Sequence, residues 1–102
     1  MKFEVTASFR ADRKRLSRQE RDRVGEVLPA FVEACDLYAA NPAAGWSASL
    51  RVRDVEGAPG VCEVTFNFSG PDVRATFEWI QIEGGLAVRW RRMGGHRIFK
   101  NP

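Results

Sequence analysis

From residue 61 onward the apolar residues of this chain fall on alternate positions, whereas between residues 24 and 38 they fall three and four apart. Side chains return to one face every about 3.6 residues in a helix and every second residue in a strand, so the change of period divides the chain into a helical part and a sheet part. In the helical part Val24, Val27, Leu28, Phe31, Cys35 and Tyr38 form a single apolar stripe. Ser17-Arg18-Gln19-Glu20 stands just before it with the form of a capping box, in which the serine hydroxyl and the glutamate satisfy orphan backbone donors, so a long helix is predicted to begin there. Pro29 lacks the donor for an i−4 bond, which predicts a kink or a break between Gly25 and Pro29. Asn41-Pro42 ends the helix, and residues 43–49 form a small-residue loop anchored by Trp46.

Ahead of the helix, Phe3, Val5 and Ala7 alternate with Glu4, Thr6 and Ser8, which predicts a first strand over Phe3–Phe9. Asp12 then caps a short helical turn carrying Arg13 to Leu16. After the loop, Leu50, Val52 and Val55 suggest a short strand broken by Gly57-Ala58-Pro59-Gly60. In Val61–Phe68 the inward residues are Cys62, Val64, Phe66 and Phe68, and Ser69-Gly70-Pro71-Asp72 turns the chain. In Val73–Ile80, Val73, Ala75, Phe77 and Trp79 face the core and put Arg74, Thr76 and Glu78 on the other side. Gly84-Gly85 opens the next arm, Leu86–Met93, with Leu86, Val88 and Trp90 inward, Arg92 alternating inward with Trp90, and Arg89 and Arg91 outward beside Arg74. Trp46, Trp79 and Trp90 read as core residues.

The order of elements predicts one α+β domain over 1–102: an N-terminal strand, a helical hairpin, then antiparallel strands in one sheet with helices on one face. The other face receives the arginines. The net charge is only +3, but its distribution is uneven. From Gly84 onward Arg89, Arg91, Arg92, Arg97 and Lys100 meet no acid, and the resulting positive field attracts phosphate. Cys35 and Cys62 form no CxxC and have no surrounding His or Asp cluster, so they read as reduced core thiols and no metal or other cofactor is expected. The N-terminal residues alternate where a signal peptide needs a continuous apolar run, and no stretch has the length of a membrane span, so a cytoplasmic protein is expected.

A first strand, a charged helical hairpin, Arg74-Ala75-Thr76-Phe77 on one strand, and Val88-Arg89-Trp90 followed by Gly94-Gly95-His96-Arg97-Ile98-Phe99 resemble the RelE/ParE superfamily of toxin-antitoxin toxins. The order of elements covers nearly the whole chain; the specific motifs cover chiefly 74–77 and 89–99. The resemblance implies a RelE-like fold and a compact ribonuclease that cleaves messenger RNA, often on the ribosome, and is silenced by a cognate antitoxin protein. It implies that Arg74 holds the scissile phosphate, that His96 acts in proton transfer, and that Phe99 borders a base pocket. Arg51 and Arg53 stand where some relatives carry lysines. This departure argues against a mechanism in which those groups lose a proton, since a guanidinium does not.

RNA carries its own nucleophile, the 2′-OH, so cleavage needs alignment, removal of that proton, neutralisation of the phosphorane and protonation of the leaving oxygen, with no metal required. The expected catalytic residues are Arg74, Arg91 and His96, and the expected RNA contacts are Arg51, Arg53, Arg89, Arg97, Phe99 and Lys100. His96 is the only histidine, the side chain type that ordinarily titrates near neutrality. Glu78, Asp54 and Glu56 are candidates for the general base, with Glu78 read first as an arginine's ion-pair partner. Two other readings stand beside this one: a ParE-like poison of DNA gyrase, which needs no proton-transfer residue, and an inactive RNA-binding relative.

Overall fold

The computed structural model describes residues 1–66 and 73–102. Strand β1 covers Lys2–Val5, helix α1 Ala7–Arg15 and helix α2 Arg18–Ala40. Two short 3-10 turns, Pro42–Ala44 and Ala48–Leu50, lead to β2 at Arg53–Asp54, β3 at Val61–Thr65, β4 at Arg74–Ile82 and β5 at Gly85–Gly94. A third 3-10 turn, His96–Lys100, follows. The fold is α+β with two helices and a five-stranded mixed sheet in the order β1-β5-β4-β3-β2, in which β1 runs parallel to β5 and the other neighbours are antiparallel. Among the described residues no helix is long and apolar enough to cross a membrane.

The first strand is shorter than its alternation suggested, and the helix after it begins earlier. The Thr6 hydroxyl accepts a hydrogen bond from the Phe9 N–H at 3.1 Å and donates one to the Arg91 carbonyl at 2.7 Å, so Thr6 caps α1 and fastens its start to β5. Phe9, Asp12 and Leu16 then lie three and four apart and all are buried, the mark of a helical face. Asp12 is thus a residue of α1 and not its cap. The capping box at Ser17 and Glu20 is formed in both directions. Helix α2 runs without a break through Pro29.

The apolar stripe of α2 packs on one side of the sheet, where Phe31 and Cys35 are fully buried against Val64, Phe66, Ala75, Phe77, Val88 and Trp90. Trp46 joins this core, stacked on Phe31 at 5.9 Å and on Tyr38 at 4.6 Å, and Tyr38 stacks in turn on Trp79 at 5.4 Å. The expected strand at Leu50, Val52 and Val55 is reduced to the two residues of β2: Leu50 closes a 3-10 turn and Arg51 takes a left-handed backbone with φ 47°. Phe68 and the turn expected at residues 69–72 lie outside the described residues.

Strand β5 departs from simple alternation at one point. Thr76 pairs with Arg92 and Phe77 with Trp90, so Arg91 is an extra residue, a β-bulge. The bulge resets the pattern. Met93 takes the core position, 5% exposed, and Arg92 does not turn inward beside Trp90. Its guanidinium reaches Asp12 of α1, with Nε to Oδ2 at 2.7 Å and Nη2 to Oδ1 at 3.2 Å. The Met93 N–H also donates to Asp12 Oδ2, at 3.0 Å, so one carboxylate ties α1 to β5. Leu86, expected inward, is 37% exposed near the start of the strand.

Candidate functional site

The sheet face away from the helices is built by register. Glu4 of β1 stands opposite Arg89 of β5, Arg89 opposite Glu78 of β4, Thr76 of β4 opposite Glu63 of β3, and Glu63 opposite Arg53 of β2. Arg74 pairs in register with Thr65 on one side and Gly94 on the other. This face is therefore a lattice of acids and bases, and it resolves into two chains of contacts.

The first chain runs from Arg53 through Glu63 and Arg74 to Phe99 and His96. Arg53 Nε donates to Glu63 Oε1, and Arg74 Nη1 lies 3.7 Å from the same oxygen. The Glu63 side chain is only 5% exposed. The Arg74 guanidinium carbon sits 5.7 Å from the centre of the Phe99 ring, and the His96 ring meets Phe99 edge-on at 5.2 Å. His96 is exposed at the start of the 3-10 turn.

The turn's shape follows from Gly94 and Ile98. Gly94 has φ 153°, and a Cβ there would approach Ile98 Cγ2 to 3.2 Å. Ile98 is fully buried and its N–H donates to the Gly95 carbonyl at 3.2 Å, so it pins the turn and leaves His96, Arg97, Phe99 and Lys100 at or near the surface.

The second chain lies one strand over. Glu78 accepts from Arg89 Nη1 at 3.1 Å and from Arg91 Nη1 at 3.0 Å, and Arg89 Nη2 reaches Glu4 Oε1 at 3.4 Å. The hydrogen bond to Glu78, reinforced by Glu4, raises the Arg89 pKa above the ordinary arginine value despite the opposing effect of desolvation. Arg91 Nε donates to the Pro102 backbone oxygen at 3.0 Å, and the Thr76 hydroxyl donates to the same oxygen at 3.1 Å. The two chains adjoin at Thr76, which is fully buried two residues from Arg74.

Of the residues singled out in the sequence, Arg53, Arg74, His96 and Phe99 come together in one chain, and Arg89 and Arg91 in the other. Arg97 and Lys100 are exposed on the 3-10 turn beside Phe99, and Arg51 is exposed two residues before Arg53. Glu78 is the arginine partner it was read as, while the Asp54 carboxylate accepts from the Cys62 thiol at 3.5 Å and Glu56 is exposed. Glu63 was not anticipated. Alternation with Cys62 and Val64 marks it as outward but does not reveal that arginines from both neighbouring strands cover it.

The helix-bearing side holds a cleft of about 410 Å³ lined mainly by apolar side chains, among them Phe3, Phe9, Leu28 and Trp90, with Arg13 and Arg21 as its charged groups. Among the described residues no three His, Cys, Asp or Glu gather as metal ligands. Comparison of the chain with protein-family models, curated proteins and solved structures finds no match.

Proposed function

We propose that this chain is the toxin of a toxin-antitoxin pair, with a RelE-like fold, that cleaves messenger RNA in the cytoplasm without a metal. One observation carries the reading: the only histidine lies exposed in a T-shaped contact with the Phe99 ring, and the same ring has the Arg74 guanidinium 5.7 Å from its centre. A proton-transfer group, a planar cation and an aromatic shelf are the three parts that transesterification of an RNA phosphodiester uses.

In this mechanism the substrate's 2′-OH attacks the adjacent phosphorus, the P–O5′ bond breaks, and a 2′,3′-cyclic phosphate and a 5′-OH result. Arg74 carries the negative charge that develops on the phosphorane oxygens. His96 gives a proton to the leaving O5′, and a base on the site or in the solvent takes the proton of the 2′-OH. Phe99 stacks a neighbouring base, and Arg91, Arg89, Arg53, Arg51, Arg97 and Lys100 draw the strand to this face. Glu78 is engaged by both Arg89 and Arg91 and is assigned an ion-pair role at this face. The messenger is cut free or on the ribosome, and a cognate antitoxin protein silences the toxin by covering it.

The test is incubation of the purified chain, with and without ribosomes, with end-labelled single-stranded RNA in the presence of EDTA. Cleavage leaving a 2′,3′-cyclic phosphate is expected, with His96→Ala slower by about 10² to 10⁴-fold, the usual share of a proton-transfer group. Growth arrest on expression of the chain in cells, with the purified chain leaving RNA intact, would move the target to a protein such as DNA gyrase. Binding of RNA without growth arrest or cleavage would make the chain an inactive RNA-binding relative.

A further inference from the structure

We infer that Glu63 is a positioning residue of this site, a buried carboxylate that holds the guanidinium groups of Arg53 and Arg74 so that both address one phosphodiester. The inference rests on the RNA-cleaving reading above and adds to it a residue which that reading does not use.

A carboxylate that is 5% exposed must be paired, since removing an ionised group from water without a partner is costly. Glu63 lies in the middle of the sheet edge formed by β2, β3 and β4, and its partners come from both sides: Arg53 directly opposite on β2, and Arg74 diagonally on β4. Both guanidiniums approach the same oxygen, Oε1. One buried atom therefore sets the spacing of two cationic groups on different strands.

A guanidinium has five N–H donors in a planar fork, and Glu63 engages Arg53 through Nε. The Arg53 side chain is 69% exposed, so its outer edge points to solvent, while Arg74, 22% exposed, carries the position on to Phe99 and His96. Fixing long side chains before substrate arrives removes an entropic cost from the reaction, and small displacements of such groups have large effects on rate.

The alternative role for Glu63 is neutralisation of a crowded basic face, and the two roles predict opposite results. Glu63→Gln keeps the shape and deletes the charge. If Glu63 only neutralises, the variant binds single-stranded RNA more tightly and cleaves it at least as fast. If it positions, KM for the RNA is unchanged or lower while kcat falls by about 10²-fold, and Glu63→Asp, which restores the charge, recovers part of the loss. A wild-type kcat in Glu63→Gln overturns the inference.

A measurement on the unaltered protein covers the case in which the variant does not fold. In a ¹⁵N NMR spectrum the Nε–Hε signal of Arg53, the donor to Glu63, should exchange with water more slowly than that of the exposed Arg97. Equal lability of the two overturns the positioning role. Failure of the wild type to cleave RNA would instead overturn the functional reading, and the exchange measurement would still report whether Glu63 holds Arg53.

Discussion

The guanidinium carbon of Arg74 lies 5.7 Å from the centre of the Phe99 ring, which joins a strand of the sheet to the 3-10 turn that carries the only histidine. A cation over an aromatic face contributes about 0.5–1 kcal/mol at an exposed site, and the ring also offers a surface for a base, worth about 1–3 kcal/mol per stack. Phe99→Leu should therefore weaken binding of a single-stranded oligonucleotide by about tenfold while Phe99→Trp retains it, as read by fluorescence anisotropy. Equal affinities for the leucine variant and the wild type would remove Phe99 from the proposed RNA-binding surface.

Asp12 ties helix α1 to the sheet. Its residue is 4% exposed and its carboxylate accepts from Arg92 and from the Met93 N–H. Asp12→Ala leaves the Arg92 guanidinium with the Asn101 carbonyl but no carboxylate, and should cost about 3 kcal/mol of unfolding free energy, measured by urea titration at pH 7. A loss smaller than about 1 kcal/mol would mean that water replaces the carboxylate without penalty.

The same carboxylate shapes the acid limb of stability. Burial alone would raise the Asp12 pKa, but hydrogen bonds from Arg92 and Met93 and the charges of Arg92 and Arg15 outweigh it and hold it below the ordinary 3.8. A group whose pKa is depressed by folding adds stability above its unfolded value and loses that contribution as pH falls through the folded value. Thermal midpoints followed downward from pH 5 should fall less steeply in Asp12→Asn than in the wild type. Parallel curves would show that Asp12 does not govern this limb.

Both thiols should be slow to alkylate. Desolvation, helped by the neighbouring Asp36, pushes Cys35 up to about 12, and desolvation together with the hydrogen bond and charge of Asp54 pushes Cys62 up to about 11. The thiolate is the reactive form, so iodoacetamide at pH 8 should leave the native chain unmodified while urea exposes two reactive sites by mass spectrometry. Rapid single modification of the native protein would show that Cys62 is not held as a thiol.

Two glycines should respond in opposite directions. Gly25 lies within α2, and a Cβ there meets nothing within 4 Å, so Gly25→Ala should stabilise the protein by up to about 1 kcal/mol through helix propensity. Gly94 combines φ 153° with Ile98 Cγ2 at 3.2 Å, so Gly94→Ala should destabilise it and loosen the turn that bears His96. Urea midpoints of the two variants on the same side of the wild type would contradict this account.

The parts of the fold that local rules decide were readable from the residues. The Ser17/Glu20 capping box marks the start of α2, and strict alternation places Phe77 inward and Arg74 outward on β4. Longer-range choices were not readable. The segment after Val5 satisfies both a strand pattern and a helix pattern, and it is the bond from Thr6 to the Arg91 carbonyl, from the far end of the chain, that accompanies the helical choice. The bulge at Arg91 carries no residue signature, so simple alternation with Trp90 turns Arg92 inward, whereas the structure buries Met93. Glu63 looked like an ordinary outward residue because its burial comes from arginines on two other strands, which only the register brings near.

The parallel pairing of β1 with β5 sets Lys2 beside Ala87 and so encloses both helices and every other strand within one loop. Helix α2 and the β4–β5 hairpin can form from neighbouring residues, but the first strand has no partner until the last one is in place. Such non-local closure slows folding relative to a helical bundle of equal size. The rate-limiting step of folding should accordingly be the docking of the N-terminal strand, and α1, which is fastened to β5 through Thr6 and Asp12, should acquire its protection from hydrogen exchange in that same late step.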